Sequence, residues 1–364
     1  MEIDFANLQL QYQKYKKIID TNIQKILDKS NYILGEEVEI LENDLVNFSG
    51  SKYAITCSSG TDAILLALMA INIKPGDEII TSPFTWISTG EMISLLNAKP
   101  VFVDIEYDTY NLDANLIESS ITDKTKAIMP VSLFGQPADL DAIQSIAKKY
   151  NLKIIIDGAQ SFGSTYNGKF DSCLGDISTT SFFPSKPLGC YGDGGAVFTN
   201  DIEYAKKIKK LRVHGQNKRY NHEFIGIGGR LDTIQAAVLL AKLPFFKEEL
   251  GNRQKIADKY SSELSNLIQT PTIKPNRSSA WAQYTIRVNN RDDLIKRLLE
   301  NDIPSSVFYP IPLHLQECFK YLNYKKNDFP ISEKASNEVL SLPMNPFLNK
   351  DQITYIISNI KKFI

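Results

Sequence analysis

The chain has 364 residues, 43% of them hydrophobic, which is longer than one core usually grows, so a large domain followed by a smaller one is expected. Lys and Arg total 41 against 42 for Asp and Glu, and a net charge of -1 excludes a global attraction to nucleic acid or an anionic membrane. Cys57, Cys173, Cys190 and Cys318 form no CxxC pair, which argues against a zinc ribbon or disulfide scaffold, and the opening MEIDFANLQLQYQKYKK has no leader signature, so the cytoplasm is the expected compartment.

The first periodic segment is EEVEILENDLVNF (36–48), where Val38, Ile40, Leu41, Leu45 and Phe48 mark one face of an amphipathic helix. A short strand YAITC (53–57), a small-residue turn SSGT (58–61) and an apolar helix (62–71) come next. In that order, helix N-terminal amides face an anion, so Gly60 and Thr61 could hold a phosphate; an ordinary capping turn reads the same way. The pattern repeats through strands at 77–82, 99–105, 126–132 and 152–158 and helices near 88–96, 113–120 and 139–150. Continuously apolar strands alternating with amphipathic helices predict an α/β fold with a mainly parallel central sheet covered on both faces.

The strand IIID (154–157) ends in an acid, and open α/β sheets bind ligands at that edge. Asp157 suits a carboxylate set against the ring nitrogen of pyridoxal phosphate (PLP), with Gln160 in reach of the ring hydroxyl; an aspartate capping the next helix would look alike. In TTSFFPSKPLGCYGDGGAVFTN (179–200), Lys186 lies between aromatics and glycines. An apolar setting lowers an ammonium's pKa, which makes Lys186 the candidate amine nucleophile. Ser181 offers a further phosphate hydroxyl, and Trp86, in TSPFTWIST, a ring to stack on a cofactor or to fill the core.

From about 240 the pattern changes to a long polar helix (247–267), a Pro-rich passage, a strand YTIRV (284–288) and helices at 292–301 and 350–362. The expected division is a large domain, 1–240, and a smaller α+β domain, 241–364. No P-loop is present, GIGG (226–229) lacks the setting of a dinucleotide fingerprint, and His214, His222 and His314 have no metal-ligand spacing, so no metal site is expected.

Taken together, SSGTDA (58–63), PFTW (83–86), DGAQSFG (157–163), SFFPSKPLGCYGDGGA (181–196) and GRLDTIQAA (229–237) resemble the DegT/StrS-type sugar aminotransferases, which are fold type I PLP enzymes. The resemblance implies that Lys186 is the Schiff-base lysine, Asp157 the pyridinium partner and Gln160 the contact of the ring hydroxyl. It also implies that Trp86 stacks on the ring, that Gly60, Thr61 and Ser181 bind phosphate, and that two subunits share the active sites of a homodimer. Lysine rather than histidine at 186 favours transamination over dehydration. Many members carry an asparagine where this chain has Gly228, which removes that side chain's contact with a cofactor phosphate.

The finer pattern of SKPLGCYGDGGA with VHGQ looks like enzymes that aminate C3 of a UDP-linked 2-acetamido-3-keto-glucuronate for surface polysaccharide, with glutamate as donor. Such a substrate needs local cations. Lys218, Arg219, His222 and Arg230 in 214–230, with Tyr309 and His314 in 308–316, are the candidates. Amination at C4 of a 4-keto-6-deoxy sugar, and a cofactor-binding regulator without turnover, are the alternatives.

Overall fold

The computed structural model describes residues 2–364. Its central sheet has seven strands: β1 (Tyr53–Cys57), β2 (Glu78–Thr81), β3 (Lys99–Phe102), β4 (Thr125–Met129), β5 (Lys153–Asp157), β8 (Ile177–Ser181) and β9 (Gly195–Thr199). Two short strands, β6 (Thr165–Tyr166) and β7 (Lys169–Phe170), form a hairpin between β5 and β8. The order across the sheet is β1-β9-β8-β5-β4-β2-β3, and only β9 runs antiparallel to its neighbours. The expected mainly parallel α/β sheet is therefore present.

Helices cover both faces. The chain opens with α1 (Leu8–Lys29) and α2 (Glu36–Ser49); α3 (Gly60–Ala70), α4 (Ser88–Leu95), α5 (Leu140–Tyr150) and α6 (Ile202–Leu211) intervene between or follow strands. Glu36, Glu37 and Glu39 lie in the first turn of α2, where acids complement the helix dipole, and Gly50 at φ 73° ends it in the left-handed region that glycine enters without strain. One face of the sheet packs Ile55, Ile79, Ile155 and Val197 against Leu66 and Leu68 of α3 and Ile208 of α6. On another, Leu41 and Leu45 of α2 meet Phe162, Phe182, Phe198 and Phe246. Burying each such side chain contributes roughly 1.5–3 kcal/mol.

The segment expected to be a helix over 113–120 is instead two 3-10 turns, Ala114–Leu116 and Glu118–Ser120. Polar side chains there bond the local backbone, Asp113 accepting from Asn115 N–H and Ser119 donating to Leu116 O, which competes with a continuing helix. Helix α1 lies outside the elements expected from the sequence; its Tyr15 and Ile19 are buried against Val238 and Ala241.

A hairpin of β10 (Gln216–Lys218) and β11 (Asn221–His222) projects before the longest helix, α7 (Thr233–Leu264), which contains Pro244. The division expected at 240 thus falls inside one continuous helix. Beyond it, β12 (Tyr284–Arg287) and β13 (Val339–Leu342) pair antiparallel, flanked by α8 (Arg291–Leu299), α9 (Pro330–Glu338) and α10 (Lys350–Phe363). Their core joins Tyr260, Tyr284, Leu298, Leu340 and Ile356. Among the described residues no helix is long and apolar enough to cross a membrane.

Candidate active site

Parallel strands end together, so their C-terminal edge gathers residues distant in sequence. Asp157 ends β5, Ser181 ends β8, and the turn after β1 leads into α3. Cys57 and Ser181 both pair with Gly195 of β9, which sets the α3 turn beside Ser181. The approach is close: a Cβ on Gly60 would stand 2.6 Å from Ser181 Cβ. Ser59 caps α3 by accepting from Asp62 N–H at 3.0 Å. Amides at the start of α3 and the Ser181 hydroxyl, which accepts from Phe183 N–H at 3.2 Å, are the donor set a phosphate requires. The Thr61 hydroxyl is engaged with Ser88 at 2.8 Å, so its side chain also ties α3 to α4.

Asp157 is only 4% exposed. Its carboxylate accepts from Thr89 Oγ1 at 2.7 Å and Ala159 N–H at 3.2 Å, and burial raises its pKa above the usual aspartate value despite those bonds and the Lys186 charge. Lys186 sits in the turn after β8, its amide bonded to Phe183 O at 2.9 Å. Burial lowers its ammonium to about 8, opposed by the charge of Asp157. The two groups thus act on each other electrostatically, yet no ion pair joins them among the described residues. A buried acid without a bonded cation and a desolvated amine without a hydrogen-bond partner fit a group that presents a cationic nitrogen to one and an aldehyde to the other.

Gln160 is buried, its Oε1 accepting from Phe134 N–H at 2.6 Å and its Nε2 donating to Tyr309 Oη at 3.0 Å. Tyr309, expected at the substrate, is therefore joined to the Asp157 neighbourhood, and its ring lies 6.2 Å from that of Trp86. Trp86 is 60% exposed, so it does not serve the core. Thr89 was missed in the sequence; a hydroxyl one helical turn past Trp86 was the available signal.

The expected substrate residues divide. Lys218, Arg219 and His222 lie exposed on the β10–β11 hairpin, and Arg230 is partly buried, with Nη1 3.5 Å from His214 Nε2. His314 departs from expectation: it is 2% exposed, bonded through Nε2 to Glu333 at 3.0 Å and packed against Phe329, which leaves no surface for a substrate. At Gly228, a Cβ would stand 3.0 Å from His214 Cε1 and 3.1 Å from its Nε2. The histidine ring occupies the space that an asparagine there would claim.

An α/β sheet whose C-terminal edge holds a desolvated lysine, a buried carboxylate and the N-terminus of α3 has the frame of an enzyme of PLP chemistry. The chain belongs to the DegT/DnrJ/EryC1/StrS aminotransferase family, whose model matches residues 13–361. It is 49% identical over 355 residues to the UDP-2-acetamido-2-deoxy-3-oxo-D-glucuronate aminotransferase of Pseudomonas aeruginosa, covering 97% of this chain and 98% of that one. It is 44% identical to the pleiotropic regulatory protein of Geobacillus stearothermophilus, covering 100% and 99% of the two. The crystal structure of ntda from Bacillus subtilis with bound cofactor pmp superposes with a TM-score of 0.93 at 29% identity, over 100% of this chain and 85% of that one. The protein is a PLP-dependent aminotransferase acting on nucleotide-linked sugars.

Proposed function

We propose that this enzyme moves an amino group from glutamate to the C3 keto group of a UDP-linked 2-acetamido uronic acid, a step that supplies amino sugars for bacterial surface polysaccharide. The observation that carries the acidic sugar is the basic hairpin: Lys218, Arg219 and His222 stand exposed, and Arg230 follows in the same segment partly buried beside His214, in a chain whose net charge is only -1. A diphosphate and a carboxylate together need such a local excess, and arginine suits bidentate binding of either. The name of the Pseudomonas aeruginosa relative supports the same substrate class.

Pyridoxal phosphate, when bound, supplies the electron sink through which an amino group leaves one carbon and joins another. The chain's own residues do the rest. Asp157, dry and oriented by Thr89, holds a ring nitrogen protonated. Lys186, with its amine accessible near neutral pH, anchors the cofactor and then moves a proton at its Nζ. The start of α3 and Ser181 hold the phosphate, and Trp86 flanks the ring. Tyr220 and Ile225 are 80% and 91% exposed beside the hairpin, which fits a second copy of the chain covering them in a homodimer with shared sites.

The test is to assay purified protein with glutamate and three keto sugars: acidic 3-keto, neutral 3-keto and neutral 4-keto. Preference for the acidic sugar, with Arg219→Ala losing it selectively, supports the proposal. Equal losses on acidic and neutral sugars remove the carboxylate role, turnover of only the 4-keto sugar moves the reaction to C4, and a bound cofactor that glutamate does not convert leaves a regulator.

A further inference from the structure

We propose that α7 acts as a splint for the turn that carries Lys186, with Lys242 and Gln235 as positioning residues for its amine. The inference rests on Lys186 as the cofactor-binding amine. The turn is tightly folded already: Cys190 N–H bonds Phe182 O at 2.8 Å, Phe182 N–H bonds Gly194 O at 2.7 Å, and a Cβ on Gly189 would meet Pro184 O at 2.5 Å. These bonds close the loop on itself but do not hold it against the rest of the domain.

Two side chains of α7 do. Gln235 accepts from Tyr191 N–H at 2.8 Å and donates to Tyr191 O at 3.1 Å, pairing with that backbone as a neighbouring strand would. It fits only because position 192 is glycine, where a Cβ would stand 2.9 Å from Gln235 Nε2. Lys242 donates from Nζ to Gly189 O, three residues past Lys186, and lies over the Tyr191 ring, 5.3 Å from its centroid.

Lys242 is 2% exposed, and no ion pair accompanies it among the described residues. The acid one heptad on, Glu249, takes its bonds from Gln11 at 2.9 Å and Tyr15 at 2.9 Å of α1. Burial depresses the Lys242 ammonium to about 8. A buried charge with one carbonyl for a partner is costly, and an unbranched apolar side chain would fill the same channel at lower cost. The fold therefore gains little from this amine, whereas the turn gains a fixed point.

Residues 235, 242 and 249 are spaced by seven, so they share one face of α7, and Arg253 continues it to Trp281 O at 3.0 Å and Met344 O at 2.8 Å. One helix thereby ties the lysine turn to α1 and to the backbone just before β12 and just after β13. Placement on a packed helix is what precise chemistry at a flexible lysine needs.

The experiment compares full-length wild type, Lys242→Met and Gln235→Met after loading with pyridoxal phosphate. It follows covalent attachment by borohydride trapping and peptide mass spectrometry at Lys186, the pH midpoint of the cofactor's visible band, and thermal unfolding. The expected result is attachment slowed on the order of tenfold and a displaced pH midpoint in both variants, with the Tm of Lys242→Met unchanged or raised. Wild-type attachment and midpoint in either variant that folds overturn the splint, and failure of both to fold assigns the pair to the fold instead. If wild type carries no cofactor on Lys186, the reading of that lysine fails, and the splint with it; equal trapping in wild type and variants sinks the splint alone.

Discussion

Thr89 Oγ1 donates a 2.7 Å hydrogen bond to Oδ2 of Asp157, joining the first turn of α4 to the end of β5. A neutral donor on a buried carboxylate favours its charged form, countering the burial that raises its pKa. Thr89→Val keeps the shape and removes the donor. Cofactor affinity, read by spectroscopic titration, should fall on the order of tenfold, and Thr89→Ser should recover it. Unchanged affinity in the valine variant would show that Asp157 needs no such support.

Lys186 sets a pH dependence. Its pKa lies near 8 rather than the ordinary 10.5, so below 8 the neutral amine grows about tenfold per pH unit, and above it the gain levels off. Covalent attachment of cofactor should follow that curve. In the cofactor-free protein the folded state binds fewer protons than the unfolded chain between the two values, so stability should rise with pH across that window, and less steeply in Lys186→Met, where Lys242 still contributes its own share. A rate independent of pH below 8 would contradict the desolvated amine.

Lys186→Ala is expected to fold normally, to bind cofactor without a covalent link and to lose turnover. Circular dichroism, borohydride trapping and the glutamate half-reaction read these separately. Retained turnover would displace Lys186 from its assigned place.

Gly60→Ala puts a methyl 2.6 Å from Ser181 Cβ, so the α3 start must move away from β8. The overpacking should cost about 1–3 kcal/mol and weaken cofactor binding through the phosphate. Binding as tight as wild type would separate this turn from phosphate recognition.

Arg212 donates to Glu42 at 2.5 Å and to Thr56 O at 2.7 Å, both side chains being nearly buried. Arg212→Met leaves Glu42 without its cation and should cost about 3 kcal/mol in urea unfolding, because an uncompensated buried charge remains. A loss below about 1 kcal/mol would mean that Thr56, which also donates to Glu42, is partner enough.

Much of this was legible in the chain because it is written locally. Strand and helix periods between 53 and 157 predicted the alternation within a few residues, since each element buries its own apolar face. Residues 113–120 misled because the side chains of Asp113 and Ser119 bond the local backbone, at Asn115 N–H and Leu116 O. Of the helix across residue 240, only the polar part from 247 on stands out in the sequence: its first turns are apolar and packed under the sheet, so the pattern changes although the backbone does not.

By itself the sequence determined which chemical groups exist and in what order: a small-residue turn before a helix, an acid at a strand end, a lysine among glycines and aromatics. Those are properties of neighbouring residues and need no knowledge of what lies across the molecule. Only the tertiary structure decided which groups meet. Ser181 closes on Gly60, Gln160 bonds a tyrosine 149 positions away, His214 fills the space over Gly228, and His314 turns inward to Glu333. Such contacts follow from sheet order and helix packing, which depend on long-range burial rather than local pattern.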